Sequence, residues 1–286
     1  MKALVLTDLH FDHILSYTKT GAKEDIIKKL AENEIDCVLL CGDNAEFDYD
    51  FFSHERTFEF FKETFNCPIA LVAGNHCLWG KGHYSSRDLL YNQYQQLATE
   101  FGLIYLENEN LQIGDFTIVG TYGHYDYSLG KVGNGITKEN FLTGRAIIGD
   151  KVHGWVDKSY MDWQGKTDEE ITRELMENFI NRISNKKGQL ITLSHTLPNM
   201  DVVGHPLSKL QNFLGAYSGT LLLEEIIREN EPLYHFCGHT HAEATSKIGK
   251  TKVINIGSSF KNLKYALLDT AKNTVEIFQE ALLDIK

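Results

Sequence analysis

No run of about 18 apolar residues occurs in this 286-residue chain, which argues against a membrane-spanning helix. The N-terminus, MKALVLTDLHFDH, reaches Asp8 and His10 before its apolar stretch is long enough for a signal peptide. A cytoplasmic protein is expected. Cysteine is sparse: Cys37, Cys41, Cys67, Cys77 and Cys237 are odd in number, widely spaced and form no CxxC pair. That pattern speaks against a disulfide scaffold or a thiolate zinc site. Basic residues are outnumbered, with 28 Lys plus Arg against 39 Asp plus Glu and a formal net charge of −11. The basic run Lys186–Lys187 is too short for a nucleic-acid claim, and the acid excess disfavours a broad polyanion-binding surface. A small phosphorylated substrate stays open, because bound divalent cations reverse the local charge of a carboxylate-rich pocket. Internal repeats, linkers and low-complexity tracts are also missing. A single domain over residues 1–286 with a mixed-sheet core is the simplest expectation.

Short apolar runs and helical periods alternate along the chain. Lys2–Thr7, Ile35–Leu40 and Ile69–Val72 read as buried strands, and Lys23–Glu32, Glu55–Phe65 and Arg87–Phe101 as helices. This alternation predicts a parallel sheet flanked by helices. Leu111–Ile113 and Phe116–Val119 flank Gly114–Asp115 as a hairpin. Residues 122–163 are rich in Gly, Tyr, Asp and Lys and lack a clear period. They read as an inserted loop region with short elements, and loops of that length are usually functional. Helix returns at Asp168–Lys187, with Thr167 and Glu170 spaced as a capping box, and at Thr220–Glu229. Strands are expected at Leu190–Leu193, Tyr234–Cys237, Lys252–Ile256, Tyr265–Leu268 and Thr274–Phe278.

The chemistry-bearing residues follow strands. Asp8 and His10 come after the first, Gly42-Asp43-Asn44 after the second, and Gly74-Asn75-His76 after the third. Ser194–His195 and Gly238-His239-Thr240-His241 follow two later strands. Ligands in open α/β sheets favour the carboxyl ends of strands. Aspartate and neutral imidazole are sound ligands for Zn, Mn or Fe, asparagine offers an amide oxygen, and one carboxylate can bridge two ions with its two oxygens. Each group alone also reads as an ordinary polar turn. One binuclear site accounts for all five.

In this order, DLH, GDN, GNH, SH and GHTH, the chain closely resembles the calcineurin-like metallophosphoesterase superfamily. The resemblance covers about residues 1–260 and leaves 122–163 unmatched. It implies an α/β fold (α+β by some schemes): a mixed-sheet β-sandwich flanked by helices in four layers. It implies that Asp8, His10 and His241 bind one metal, that Asn75, His195 and His239 bind a second, and that Asp43 bridges them. His76 would sit over the substrate as the catalytic group. Two ions of Mn, Fe or Zn are expected. One departure concerns the acid that usually follows GNH and helps orient the histidine. This chain has Cys77 there, and the sequence names no replacement carboxylate.

The function so implied is metal-dependent hydrolysis of a phosphate ester by a metal-bridging hydroxide. A small-molecule mono- or diester is favoured over a phosphoprotein, and nucleic acid and membrane are not favoured. The alternatives are a phosphoprotein phosphatase and a catalytically weak metal-binding scaffold for protein interaction. Other residues keep two readings. Tyr122, His124, Tyr125 and Tyr127 wall a pocket or pack a loop. Asp12, His13 and His205 approach the metals or are solvated. Arg145 contacts phosphate or is a surface arginine. Phe47–Phe52 is read as core, and His54, His83, His153 and His235 as surface or satisfied interior histidines.

Overall fold

The computed structural model describes residues 1–12, 21–47, 51–206 and 208–282; His13 lies outside them, as do residues 48–50 of the expected Phe47–Phe52 core stretch. The strands are β1 (Lys2–Leu6), β2 (Cys37–Cys41), β3 (Ile69–Val72), β4 (Ile104–Tyr105), β5 (Leu111–Ile113), β6 (Phe116–Thr121) and β7 (Arg145–Ile148). Then come β8 (Lys151–Gly154), β9 (Gln189–Ser194), β10 (Tyr234–Cys237), β11 (Ala244–Ile248), β12 (Thr251–Asn255), β13 (Asn262–Asp269) and β14 (Thr274–Ala281). They form two six-stranded mixed sheets, ordered β14-β13-β1-β2-β3-β4 and β11-β12-β10-β9-β6-β5, and a separate β7–β8 hairpin. In the first sheet β1 to β4 are parallel, and in the second β6, β9, β10 and β12 are parallel.

The strands are near-continuous apolar runs because both of their faces are buried. Ala3, Val5, Leu39, Ala70 and Val72 of the first sheet meet Ile118, Ile191, Leu193, Phe236 and Ile254 of the second in one inter-sheet core. The alternate residues Leu4, Leu6, Val38, Leu40 and Leu71 face a second core with Ile27, Leu30, Phe58 and Phe61 of helices Ala22–Leu30 and Phe52–Thr64. Helices Asp168–Ser184 and Leu221–Asn230 pack by the second sheet. The arrangement is helix, sheet, sheet, helix, as the resemblance implied. No described helix is long and apolar enough to cross a membrane.

Several boundaries differ from expectation. The stretch expected as one helix over Arg87–Phe101 is Ser86–Asp88, a π turn at Leu89–Gln93, and Tyr94–Glu100. The π turn leads into Tyr94, whose buried hydroxyl accepts from Asn44 Nδ2 at 3.0 Å. Strand β11 went unread because it is a polar edge strand, ATSKI, buried fully only at Ile248. Residues 122–163 contain a helix at Lys138–Thr143, the β7–β8 hairpin and a one-turn helix at Asp157–Tyr160. Their core is an aromatic cluster of Tyr125, Tyr127 and Phe141 against Phe213 and Tyr217, which imposes no sequence period. Tyr122, His124, Tyr125 and Tyr127 are all buried; Tyr122 and His124 pack inside, while Tyr125 and Tyr127 also line a cavity with Asp157, Lys158 and Asp168. The hairpin exposes Ile147 and Val152, which pair across it.

The capping box at the start of Asp168–Ser184 forms reciprocally: Thr167 accepts from the Glu170 N–H, and Glu170 accepts from the Thr167 N–H. Replacing Thr167 by Ala is expected to lower stability by about 1 kcal/mol. Urea unfolding of the two proteins, read by far-UV circular dichroism, measures it.

Candidate metal centre

The parallel strands of both sheets deliver their carboxyl ends to one place. Past β1 and β2 the backbones stay paired, with the Asp8 N–H donating to the Gly42 carbonyl (3.1 Å) and the His10 N–H to that of Asp43 (2.9 Å). The second sheet is tied in by the His239 N–H, which donates to Asp8 Oδ1 at 3.0 Å and Oδ2 at 3.1 Å. These turns are tight. Asp8 (φ 49°), His10 (40°), Asp43 (48°), His239 (71°) and His241 (55°) are all left-handed without being glycine. Each such residue costs on the order of 1–3 kcal/mol and persists only where its surroundings hold it. Gly42, at φ 90°, admits no side chain, because a Cβ there would lie 2.5 Å from His195 Nδ1.

The seven expected ligands come together. Asp8, His10 and His241 form one triad, and Asp43, His195 and His239 another, with the ligand atoms of each within 4.8 Å of one another. In the first, His10 Nε2 lies 3.4 Å from His241 Nε2, which lies 3.4 Å from Asp8 Oδ1. In the second, His195 Nε2 and His239 Nδ1 are 3.3 Å apart, and Asn75 Oδ1 is 3.0 Å and 3.1 Å from them. Asp43 stands between: its Oδ2 is 3.8 Å from His10 Nε2 and 3.3 Å from His195 Nε2. Its Oδ1 is taken by the His76 N–H at 2.9 Å. One oxygen, rather than the two the sequence suggested, therefore faces both triads.

Tautomers follow from the outward partners. His195 Nδ1 donates to the Cys41 carbonyl at 3.0 Å, and His239 Nε2 to the Tyr217 carbonyl at 3.1 Å. A neutral imidazole carries one proton, so His195 Nε2 and His239 Nδ1 turn lone pairs toward each other and toward the Asn75 oxygen. Three acceptors converge with no hydrogen between them. Something positive belongs there, either a proton or a metal ion, and the donor set fits a metal ion with backbone carbonyls fixing the rings.

Without metal the proton takes that place. Burial would lower the His195 pKa, but the Asp43 charge and its hydrogen bond outweigh it and raise it to about 9. Burial also works against the Asp43 carboxylate, yet His195 and His76 hold it well below the usual range. At His10 burial prevails, and its pKa falls to about 3.

His76 opens a 3₁₀ turn, His76–Leu78. Its ring packs at a tilt on Trp79, centroids 3.7 Å apart, and meets His10 edge to face at 4.7 Å. The side chains of His76 and His241 are 20 % and 24 % exposed, against 2 % and 0 % for His10 and His195. Solvent therefore reaches the site on the His76 and His241 side. Cys77 does not touch the imidazole. Its buried thiol points at the Ala45 carbonyl and the Tyr94 hydroxyl, and burial pushes it up to about 12. The carboxylate the sequence failed to name is Glu46, whose Oε2 faces His76 Nδ1 at 3.9 Å while Oε1 accepts from Lys81 at 2.6 Å. His76, the larger influence, and Lys81 hold its pKa down at about 2. Its place three residues after Asp43 was visible in sequence, but nothing there marked its direction.

The remaining candidates lie further out. His205 is exposed and donates to the Thr240 carbonyl at 2.8 Å, bracing the GHTH loop. Asp12 accepts from the Glu46 N–H at 3.1 Å, and Arg145 is exposed on the hairpin. His235 is interior, between Thr192 and Ser194. Asp157, unremarked in sequence, is buried beside Asn75.

Metal uptake must displace the His195 proton. Apparent metal affinity is therefore expected to rise about tenfold per pH unit up to about 9. The metal-free protein behaves oppositely. A pKa raised on folding contributes stability that is whole below the unfolded value near 6.5 and is lost as pH rises through about 9. Calorimetric metal titration in buffers of different ionisation enthalpy, with melting of the metal-free protein from pH 6 to 9.5, checks both.

No curated protein matches the chain at a significant level. Among solved structures, a phosphopantetheinyl hydrolase from Mycobacterium tuberculosis superposes with a TM-score of 0.67 at 16% identity, over 89% of this chain and 88% of that one. A Staphylococcus aureus protein described as a 5′-nucleotidase gives 0.53 at 14% identity, over 100% of this chain but 55% of its own length. This chain thus spans about half of that protein, and at such identities both show the fold alone. The sequence model for calcineurin-like phosphoesterases matches residues 1–243. That span ends just past His241 and contains every motif that builds the paired triads, and the chain belongs to this family of binuclear metal-dependent hydrolases.

Proposed function

We propose that this chain hydrolyses small-molecule phosphate mono- or diesters, with one metal ion on Asp8, His10 and His241, another on Asn75, His195 and His239, and Asp43 shared. The observation that carries the reading is the convergence of His195 Nε2, His239 Nδ1 and Asn75 Oδ1 within 3.3 Å of one another while both ring N–H groups point away. Carboxylate, imidazole and amide oxygen together suit Mn, Fe or Zn. When bound, such ions supply water acidified toward neutral pH and positive charge opposite the phosphoryl oxygens.

The chain's own groups do the rest. His76 stands at the open side with Glu46 at Nδ1 and Asp43 Oδ2 4.0 Å from Nε2. Both carboxylates favour its protonated form, which donates to the departing oxygen. Trp79 and His10 hold the ring from two sides and limit its rotation. The net charge of −11 favours a compact substrate over a polyanion.

The test is a panel of an aryl phosphate, its bis-aryl diester, cyclic nucleotides and a phosphopantetheinyl ester, with defined Mn, Zn, Fe, Ni or Mg loading. Metal-dependent turnover of at least one is expected; two bound ions and no turnover anywhere would sink the reading. Asp43→Asn is expected to lose metal and activity together. His76→Ala should keep both ions and lose about 10²–10⁴-fold in turnover. Metal analysis beside kinetics separates the two outcomes.

A further inference from the structure

Asp157 begins the one-turn helix that follows the β7–β8 hairpin, 82 residues from Asn75 in sequence. It is 1 % exposed. Its Oδ1 accepts from Asn75 Nδ2 at 3.1 Å and from Trp79 Nε1 at 2.7 Å, and its Oδ2 from Trp155 Nε1 at 2.9 Å. Its hydrogen-bond partners among the described residues are three neutral N–H groups, and the imidazoles of His76 and His124 act on it only from beyond contact. A buried carboxylate without a cation is costly. Its position beside a centre built to hold positive charge gives it a use.

The geometry points to Asp157 as the positioning residue for Asn75, reaching the metal centre from the 122–163 segment and fixing which end of the amide faces it. The inference rests on the proposed function. Asn75 has two possible orientations. In the observed one, Nδ2 donates to a carboxylate and Oδ1 joins the lone pairs of His195 and His239. In the flipped one, oxygen would face carboxylate, and the NH₂ would donate to those two imidazoles and fill the metal position. With both rings neutral and no metal bound, the flipped form would satisfy the imidazoles better, although a proton on His195 Nε2 favours the observed one. Asp157 makes it unfavourable, because a carboxylate accepts and cannot donate. Its charge also draws the amide hydrogens and leaves more electron density on Oδ1, as carboxylates do for ligating histidines. The same side chain ties Trp155 to the site through its other oxygen.

Metal binding to the full chain tests the assignment, using Mn²⁺ or Zn²⁺ titrated against a competing chelator, with circular dichroism melts as the folding control. Asp157→Ala is expected to weaken one of the two bound ions by about 10–100-fold and leave the other unchanged. Asp157→Asn keeps an acceptor oxygen but no charge, and should weaken the same ion by less than the alanine variant does. Trp155→Phe removes the bond to Oδ2 while keeping an aromatic ring against Tyr217 and His239, and should leave both affinities intact. Wild-type affinities in a folded Asp157→Ala would overturn the assignment. If that variant does not fold, wild-type affinities in Asp157→Asn overturn it instead. An equal loss in Trp155→Phe would also overturn it, since Asp157 would then act only by anchoring the segment. A wild-type protein that binds fewer than two ions rejects the proposed function, and this inference with it.

Discussion

Acceptors that point at one another, with their hydrogens turned outward, are the constraint on which the rest of this site depends. Left alone, His195 Nε2, His239 Nδ1 and Asn75 Oδ1 would repel. The fold keeps them together by giving each of the three groups a fixed outward acceptor: the Cys41 carbonyl, the Tyr217 carbonyl and the Asp157 carboxylate. Each partner comes from a different part of the chain. Cys41 ends β2, Tyr217 lies in the 3₁₀ turn Gly215–Tyr217, and Asp157 lies in the 122–163 segment. The cation-binding capacity of the centre is therefore a property of the assembled fold and not of any one loop.

The sandwich makes this assembly possible. Strands buried on both faces run side by side in each sheet, and their carboxyl ends emerge at a common edge. Asp8, His10, Asp43 and Asn75 come from one sheet, and His195, His239 and His241 from the other. The inter-sheet core of Val5, Leu39, Val72, Leu193 and Phe236 sets the spacing between those two groups. A packing defect in it would reach the metal centre as a change in separation between His195 and Asp43. Interiors are close-packed and transmit such strain.

How much of this could be read from sequence follows from the range of each interaction. Strand ends bearing DLH, GDN, GNH and GHTH were legible because strand and ligand are neighbours in the chain. So was the Thr167–Glu170 capping box, which spans three residues. Glu46 and Asp157 were not legible as partners. Glu46 meets His76 from 30 positions away, and Asp157 meets Asn75 from 82. Nothing periodic announces either. The 122–163 segment resisted reading for a related reason: its order comes from aromatic rings packed against Phe213 and Tyr217, which lie far along the chain. The polar edge strand β11 escaped because only its last residue is fully buried.

The left-handed backbone at Asp8, His10, Asp43, His239 and His241 sets stability against function at these positions. Glycine or asparagine at any of them would relax the chain, yet glycine would remove a ligand and asparagine would replace one of different chemistry. Selection for a sturdier metal-free protein and selection for a working centre therefore pull in opposite directions here. Substitutions chosen for thermal stability alone would tend to erode the site.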